Sequence, residues 1–152
     1  MSHNLLVHNH FPLNKCISDK KNLLLHLTRY LSDKEIDPFL YLPESYELSS
    51  LKHPAVKGIE ESPCEDMIWI IKPGEDSNRG RGIVVTHSKE GTLEELRGRL
   101  ERGGKEELPP KKRKSLVLQK YLMPLLYYGR KFDIRGYMLV TFLNNQLRVY
   151  HY

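Results

Sequence analysis

"WIIKPGEDSNRGRGIVV", from Trp69 to Val85, is the most informative stretch of the chain, because one lysine leads from an apolar strand into a loop rich in glycine and arginine. The β-branched and aromatic residues from Met67 to Ile71 are typical of a buried strand. Lys72-Pro73 is predicted to end that strand, because proline cannot donate to a central ladder. The apolar residues after the loop predict a second strand.

The loop between the two strands has the composition of a phosphate clamp. Gly80 and Gly82 would let the backbone approach an anion closely, and Lys72, Arg79 and Arg81 would supply positive charge. A loop of Pro, Gly, Asp, Ser and Asn is equally typical of a solvated turn. Its spacing matches neither GxxxxGK[ST] nor GxGxxG, so the functional interpretation is a phosphate-covering loop between two strands.

A second informative stretch is "LVLQKYLMPLLYYGRKFDIRGY", from Leu116 to Tyr137. Leu116 to Leu122 predicts a buried strand. Further on, Lys131, Asp133 and Arg135 alternate along an extended segment and are therefore predicted to face one side. Such a row is typical of a salt-bridge ladder on a wet surface. The alternative is a charged row that binds a ligand.

Together these stretches resemble the tubulin tyrosine ligase-like family, a branch of the ATP-grasp amino-acid ligases. Two upstream segments are also similar to it: "NHFPLNKCISDKKNLLLHL" from Asn9 to Leu27, and "PFLYLPESYEL" from Pro38 to Leu48. The resemblance implies an α/β (α+β) fold, an incomplete ATP-grasp fold with a mostly antiparallel sheet and flanking helices. Residues 1–65 would form an N-terminal and linking region with one amphipathic helix, and residues 66–152 a partial nucleotide-binding domain truncated at its C-terminus.

The resemblance also implies a chemistry. Such enzymes phosphorylate a protein carboxylate with ATP, and the amine of a free amino acid then attacks the acyl phosphate. The acceptor is usually an acidic tubulin tail. Phosphoryl transfer needs charge neutralisation and in-line positioning more than a covalent nucleophile, so lysines, arginines and Mg²⁺ would carry it. The resemblance implies a tubulin ligase that adds glutamate or glycine in preference to tyrosine, because "RGRGI" is similar to glycylating members and "GRKFDIR" to glutamylating ones.

The family's nucleotide-binding positions carry over onto matching residues. Lys72 resembles the lysine that holds the α- and β-phosphates, and the loop from Arg79 to Gly82 resembles the flexible cover over them. The strand end and hinge from Gln119 to Leu122 match the family's adenine site, where backbone groups would read the base. Lys131 and Asp133 match positions near the ribose and phosphates, and Arg135 is the catalytic candidate, facing the reacting carboxylate or the amino acid. The expected ATP-binding residues are Lys72, Ser77, Arg79, Gly80, Arg81, Gly82, Ile83, Gln119, Lys120, Tyr121, Leu122, Lys131 and Asp133.

The family's magnesium ligands, an acidic residue and a Glu-x-Asn pair, lie further along than Tyr152. We therefore expect the Mg²⁺ ligands beyond residue 152, and weak nucleotide binding with little catalysis by this chain alone. The chain would then be a fragment of a longer enzyme, a truncated gene model or a degenerate relative. The alternative function is a non-catalytic relative that binds tubulin or nucleotide.

Composition favours a cytoplasmic protein. The 152 residues suffice for one modest domain, and neither a membrane-spanning apolar run nor a signal-peptide pattern is present in the sequence. Cys16 and Cys64 lack metal spacing and indicate reduced thiols. His8 and His10 are spaced like two ligands on a strand, but no third ligand accompanies them and zinc is not expected. The resemblance adds the cytoskeleton, cilium or basal body as locations.

The net charge of +5 includes the cluster "KKRK" at residues 111–114. Such a cluster is typical of nuclear targeting or nucleic-acid binding, of a solvated linker, or of steering toward an acidic tubulin tail. We favour the linker or steering interpretation over nucleic acid, because no stacking aromatics are interleaved with the cluster. Microtubules and a free amino acid are the expected partners, with no membrane.

Periodicity predicts the remaining elements. Phe132 and Ile134 are predicted to face the core, on the side opposite the charged row. A helix is predicted over Asp19–Leu31, with Ser18 as its cap and a core-facing side formed by Leu23, Leu24, Leu27, Tyr30 and Leu31. A linker is predicted over Ser49–Glu65, and a second helix over Thr92–Leu100 with a Thr-x-x-Glu start. The last predicted elements are two strands, Tyr137–Leu143 and Gln146–Tyr152, joined by a turn at Asn144-Asn145.

Overall fold

The computed structural model describes residues 15–74, 80–103 and 115–152. The chain divides into two compact units, Met1–Tyr121 and Leu122–Tyr152. Helices accompany antiparallel sheets, so the predicted α+β class is confirmed. No helix within the described ranges combines the length and the apolarity needed to cross a lipid bilayer.

A four-stranded sheet organises the first unit. Its strands are β1 (Ser45–Leu48), β2 (Trp69–Pro73), β3 (Val84–Thr86) and β4 (Leu116–Lys120). They lie in the order β1-β4-β2-β3, and every neighbouring pair is antiparallel. β4 therefore joins strands that are far apart in the sequence, and β2 and β4 occupy the centre.

Helices flank this sheet. They are α1 (Lys15–Ser18), α2 (Lys20–Ser32), α3 (Pro54–Glu61) and α4 (Lys89–Gly103), with a short 3-10 helix at Pro38–Leu40.

The two faces of the sheet have different characters because side chains alternate along each strand. One face carries the core, in which strand residues such as Ile71 and Leu118 pack with apolar residues of α3 and α4. We call this the core face. The opposite face carries Lys72 and Gln119, and an ion pair between Lys21 of α2 and Glu47 of β1 spans 3.3 Å beside it. We call this the polar face.

The predicted helix near the N-terminus is present as α2, but its cap is Asp19 and not the preceding serine. The Asp19 carboxylate accepts hydrogen bonds from two backbone N–H groups of the first turn, which a helix start leaves without partners. Leu24 and Leu31 are buried as predicted, whereas Leu23 and Tyr30 are exposed. The apolar stripe is therefore narrower than the sequence pattern predicts.

The prediction of a linker over residues 49–65 is wrong, because this segment contains α3. The His53 side chain accepts a hydrogen bond from the Ala55 N–H at 3.1 Å, and Pro54 occupies the first turn, where its missing donor costs nothing. Val56 and Ile59 lie on one side of the helix and are 2% and 3% exposed in the core. Two apolar residues among polar ones are enough to anchor this short helix.

The helix predicted at Thr92 begins earlier, at Lys89, and continues to Gly103. The Ser88 hydroxyl accepts from the Gly91 N–H at 3.1 Å, so it satisfies a donor of the first turn. Thr92 is not a cap: it is fully buried, and its hydroxyl donates to the Ser88 carbonyl at 2.8 Å.

The two central strands, β2 and β4, do not end at the residues that the sequence predicts. β2 does not stop before Lys72 but continues through it to Pro73, which lies opposite Leu116 at the end of the ladder. A proline is tolerated there because the pairing with β3 has already ended at Ile71. β4 ends at Lys120, two residues before the predicted end.

The second unit consists of two hairpins. The first pairs β5 (Leu126–Tyr127) with β6 (Arg130–Lys131), and the second pairs β7 (Met138–Leu143) with β8 (Gln146–His151). Asn144 and Asn145 have φ angles of 49° and 60°, as a two-residue turn with both residues in the left-handed region requires. The predicted Asn-Asn turn is confirmed.

Residues 132–137, all described, contain neither helix nor strand. The prediction that Phe132 and Ile134 face a core is wrong: they are 48% and 86% exposed. Lys131 belongs to β6, whereas Asp133 and Arg135 lie in the irregular segment. The alternation of a regular strand therefore does not place these three charges on one side.

Candidate functional site

Lys72 and Gln119 form the centre of the candidate site on the polar face. Gln119 on β4 lies directly opposite Ile70 of β2, and Lys72 is the next residue of β2 on that face. This diagonal arrangement brings the Lys72 Nζ atom to 2.5 Å from the Gln119 Oε1 atom. The structure thus brings together two residues that the sequence assigned to one nucleotide site.

Ser45 completes this group and was not predicted. It lies directly opposite Gln119 in the pairing of β1 with β4 and is 6% exposed. The Gln119 Nε2 atom donates to the Ser45 Oγ atom at 2.7 Å, and the Ser45 hydroxyl donates to the Pro43 carbonyl at 2.7 Å. A line of hydrogen bonds therefore runs from Pro43 to the ammonium of Lys72.

The surroundings of Lys72 oppose its charge. Burial lowers the pKa of this lysine below its ordinary value, and the positive charge of Lys20 on α2 lowers it further. Among the described residues, no carboxylate forms an ion pair with Lys72. A half-buried ammonium that donates its hydrogen bond to a neutral amide can still bind an anion such as phosphate.

The basic loop begins at a tightly held glycine. The Gly74 N–H donates to the Ser115 carbonyl at 2.9 Å, and the Gly74 carbonyl accepts from the Lys21 N–H at 3.3 Å. A Cβ atom on Gly74 would lie 2.5 Å from the Ser115 hydroxyl, so a side chain would displace the start of β4. Gly74 was not among the predicted site residues, although it directly follows the proline that ends β2.

The returning end of the loop is held as well. Gly80 and Gly82 both have φ angles of +73°, in the left-handed region that favours glycine. A Cβ atom on Gly82 would come within 2.9 Å of the Pro73 ring, and Arg99 of α4 donates to the Gly82 carbonyl at 2.7 Å. This end of the loop therefore packs against the end of β2, directly after Lys72.

The remaining loop predictions divide between described and undescribed residues. Arg81 is exposed in the turn, and Ile83 is half-buried just before β3. Ser77 and Arg79 lie outside the described residues, as do His8, His10 and the basic cluster at 111–114. Their proposed roles stay predictions.

Two backbone donors of the predicted adenine hinge are already engaged. The Lys120 N–H donates to the Glu44 carbonyl at 2.8 Å, and the Tyr121 N–H donates to the Ile68 carbonyl at 3.0 Å. A base edge at this hinge would therefore have to use carbonyl oxygens of the hinge, or the N–H of Leu122. The N–H groups of Lys120 and Tyr121 are thus excluded as hydrogen-bond donors to adenine in this arrangement.

A pocket of about 800 Å³ opens at the same end of the sheet, but on the core face. Tyr46, Trp69 and Lys120 line it, and each alternates along its strand with a residue of the polar face. The Tyr46 hydroxyl donates to Glu44 at 2.7 Å. Burial, together with this carboxylate, raises the pKa of Tyr46 to about 12. Because the pocket and Lys72 lie on opposite faces, they form separate sites.

The other predicted charged residues belong to the second unit. Lys131, Asp133 and Arg135 are all exposed there. Leu122, the last predicted hinge residue, begins this unit and is 63% exposed. The convergence of Lys131, Asp133 and Arg135 with Lys72 stays a prediction.

Acidic and other metal-binding side chains form no cluster in the described part of the chain. In residues 15–74, 80–103 and 115–152, no three His, Cys, Asp or Glu side chains lie close enough together to hold a metal ion. The expected Mg²⁺ ligands beyond residue 152 stay a prediction.

Comparisons with known proteins agree on one family. The family model described as "Tubulin-tyrosine ligase family" matches residues 1–152. The chain is similar to tubulin monoglutamylase TTLL4 of Mus musculus, at 34% identity over 143 residues, which are 93% of this chain and 10% of that relative. It is also similar to tubulin glycylase 3B of Drosophila melanogaster, at 36% identity over 86 residues, which are 56% of this chain and 10% of that relative.

A third relative, tubulin monoglycylase TTLL3 of Homo sapiens, is 42% identical over 77 residues, which are 49% of this chain and 8% of that relative. The chain thus spans 10% or less of the length of these three relatives. No solved structure matches it.

Proposed function

We propose a function for this chain from one established premise: the chain belongs to the tubulin-tyrosine ligase family. It contributes part of the nucleotide site of a longer ATP-dependent ligase. That enzyme adds an amino acid to a carboxylate of tubulin through an acyl phosphate. Glutamate or glycine is the amino acid, because the three relatives named above are a monoglutamylase, a glycylase and a monoglycylase.

The main observation in support of this proposal is the environment of Lys72. Its ammonium is half-buried, its pKa is lowered by burial, and the glycine loop starts two residues later. Phosphate oxygens would compensate the charge of Lys72, which forms no ion pair with a carboxylate among the described residues. Lys72 is therefore assigned to the phosphates of ATP.

The glycine turn and the charged residues of the second unit have further proposed roles in the nucleotide site. The backbone of Gly80 and Gly82 would approach the phosphates, since a left-handed glycine turn can direct amides at an anion. Lys131 and Asp133 would complete the site near the ribose and phosphates from the second unit. Arg135 would face the reacting carboxylate and stabilise the charge that develops during phosphoryl transfer. The acidic tail of tubulin and a free amino acid are the proposed partners, in the cytoplasm or on the cytoskeleton.

Substitution of Lys72 in the complete protein tests the proposal. Lys72→Met keeps the aliphatic length and removes the charge, so ATP affinity in a calorimetric titration should fall by about tenfold or more, as for the loss of a charge-assisted contact. Lys57→Met is the matched control, because this lysine is 73% exposed and pairs with Glu61 on α3.

Equal ATP affinity in the Lys72→Met, Lys57→Met and parent proteins would remove Lys72 from the nucleotide site. Thermal unfolding of each variant verifies that the fold is retained. If ATP binds tightly but tubulin is not modified, the nucleotide assignment stands and the ligase assignment fails.

A further inference from the structure

We propose that Ser45 is a positioning residue, whose hydroxyl orients the side-chain amide of Gln119 so that the amide oxygen faces Lys72. Ser45 lies on β1 and the lysine on β2, with Gln119 of β4 between them in the sheet. The hydroxyl does not contact Lys72 in this arrangement and acts on it through Gln119. The consequence for ATP binding rests on the function proposed above.

The single proton of the Ser45 hydroxyl determines the orientation of the Gln119 side-chain amide. A serine hydroxyl has one proton and two acceptor lone pairs. The Ser45 proton is donated to the Pro43 carbonyl at 2.7 Å, so towards Gln119 the oxygen can only accept. The amide therefore presents its N–H₂ group to Ser45, at 2.7 Å, and its oxygen to the Lys72 ammonium.

The opposite orientation of the amide would be costly. It would place N–H donors against the ammonium, which has donors only. Ser45 is 6% exposed, so water has little access to replace its hydroxyl. Among the described residues, Lys20 repels Lys72, and Glu47 on the same face is paired with Lys21. In the described part of the chain, the oriented amide oxygen thus accepts the hydrogen bond that fixes the ammonium of Lys72 beside β4.

A double-mutant cycle in the complete protein separates orientation from mere packing. Ser45→Ala removes the acceptor for the amide, whereas Gln119→Glu replaces the amide by a carboxylate whose two oxygens are equivalent and need no orientation. Ser50→Ala is the control for loss of a serine hydroxyl, since Ser50 accepts from the Lys52 N–H in an exposed turn. Ser45→Thr retains a hydroxyl and shows whether the position tolerates substitution.

The first measurement needs no nucleotide. The pH midpoint for labelling of Lys72 by an amine reagent, read by mass spectrometry, should fall in Ser45→Ala and stay unchanged in Ser50→Ala. The double variant Ser45→Ala/Gln119→Glu should have the same labelling midpoint as the single variant Gln119→Glu. An equal change in both backgrounds, or no change in either, overturns the proposal. If Ser45→Ala fails to fold, an altered midpoint in Ser45→Thr overturns it and an unaltered one supports it.

ATP affinity is the second measurement. Ser45→Ala should weaken ATP binding by about five- to tenfold in the parent, the usual effect of losing one partner of a buried hydrogen bond, and by less than about twofold in Gln119→Glu. If the labelling midpoint shifts as expected while Lys72→Met leaves ATP affinity unchanged, the orienting role of Ser45 is upheld and the nucleotide function is the part that fails.

Discussion

Lys72 lies where burial and a neighbouring lysine both disfavour its charge, and among the described residues the neutral amide oxygen of Gln119 accepts a hydrogen bond from its ammonium. The sequence predicts Lys72 as a site residue because a lysine at the start of a glycine loop is a local pattern, and the family resemblance adds Gln119. It does not predict Ser45, since this contact spans 74 residues of sequence and exists only once β1 has paired with β4. Residue types near a loop are thus predictable, whereas the hydrogen bonds that position them depend on strand pairing.

The lowered pKa of Lys72 predicts a pH dependence for ATP binding by the complete protein. Without ligand, this amine loses its proton at a lower pH than an ordinary lysine, because its surroundings disfavour the charged form. Phosphate favours the charged form. ATP affinity should therefore fall as the pH rises through the lowered pKa, and binding in that range should take up a proton. Calorimetry in buffers of different ionisation enthalpy measures both effects.

Lys72→Arg is the control for this pH dependence, because a guanidinium stays charged throughout the accessible range. This variant should lose the alkaline fall in affinity even if its affinity at neutral pH is reduced. Identical pH profiles for the two proteins would assign the titration to another group.

Elements with a strong local signal were predicted and those without one were missed. The Asn-Asn hairpin and the body of α2 follow from turn chemistry and helical periodicity. α3 was interpreted as part of a linker because the longer segment, residues 49–65, is rich in polar residues and contains prolines, and only the core formed by β2, β4 and α4 gives the apolar residues of α3 a place to pack. Helices this short depend on tertiary packing more than on propensity.

α3 yields a stability prediction. Ile59→Ala should lower the free energy of unfolding by about 2–4 kcal/mol, because it leaves a cavity at a core position. Lys57→Ala, on the exposed side of the same helix, should change it by less than about 0.5 kcal/mol. Denaturant unfolding of both variants measures the difference. A negligible effect of Ile59→Ala would mean that residues 54–61 are the linker that their composition suggests.

At the scale of the whole molecule, the chain consists of two compact units that carry different halves of the proposed site. Lys72 and the glycine turn belong to the first unit, whereas Lys131, Asp133 and Arg135 belong to the second. The sequence identifies both halves because each lies in a short, ordered motif. The proposed convergence of the two halves is a long-range arrangement, which no local pattern in the sequence encodes.

The central claim is that Lys72 and Lys131 lie at the phosphates of one bound ATP. An acyl-phosphate derivative of ATP transfers its acyl group to lysines beside the phosphates, and mass spectrometry of the complete protein identifies the modified residues. The account predicts labelling of Lys72 and Lys131 that excess ATP suppresses, with Lys57 labelled weakly and regardless of ATP. Labelling that spares Lys72 and Lys131, or that ATP does not suppress, would contradict it.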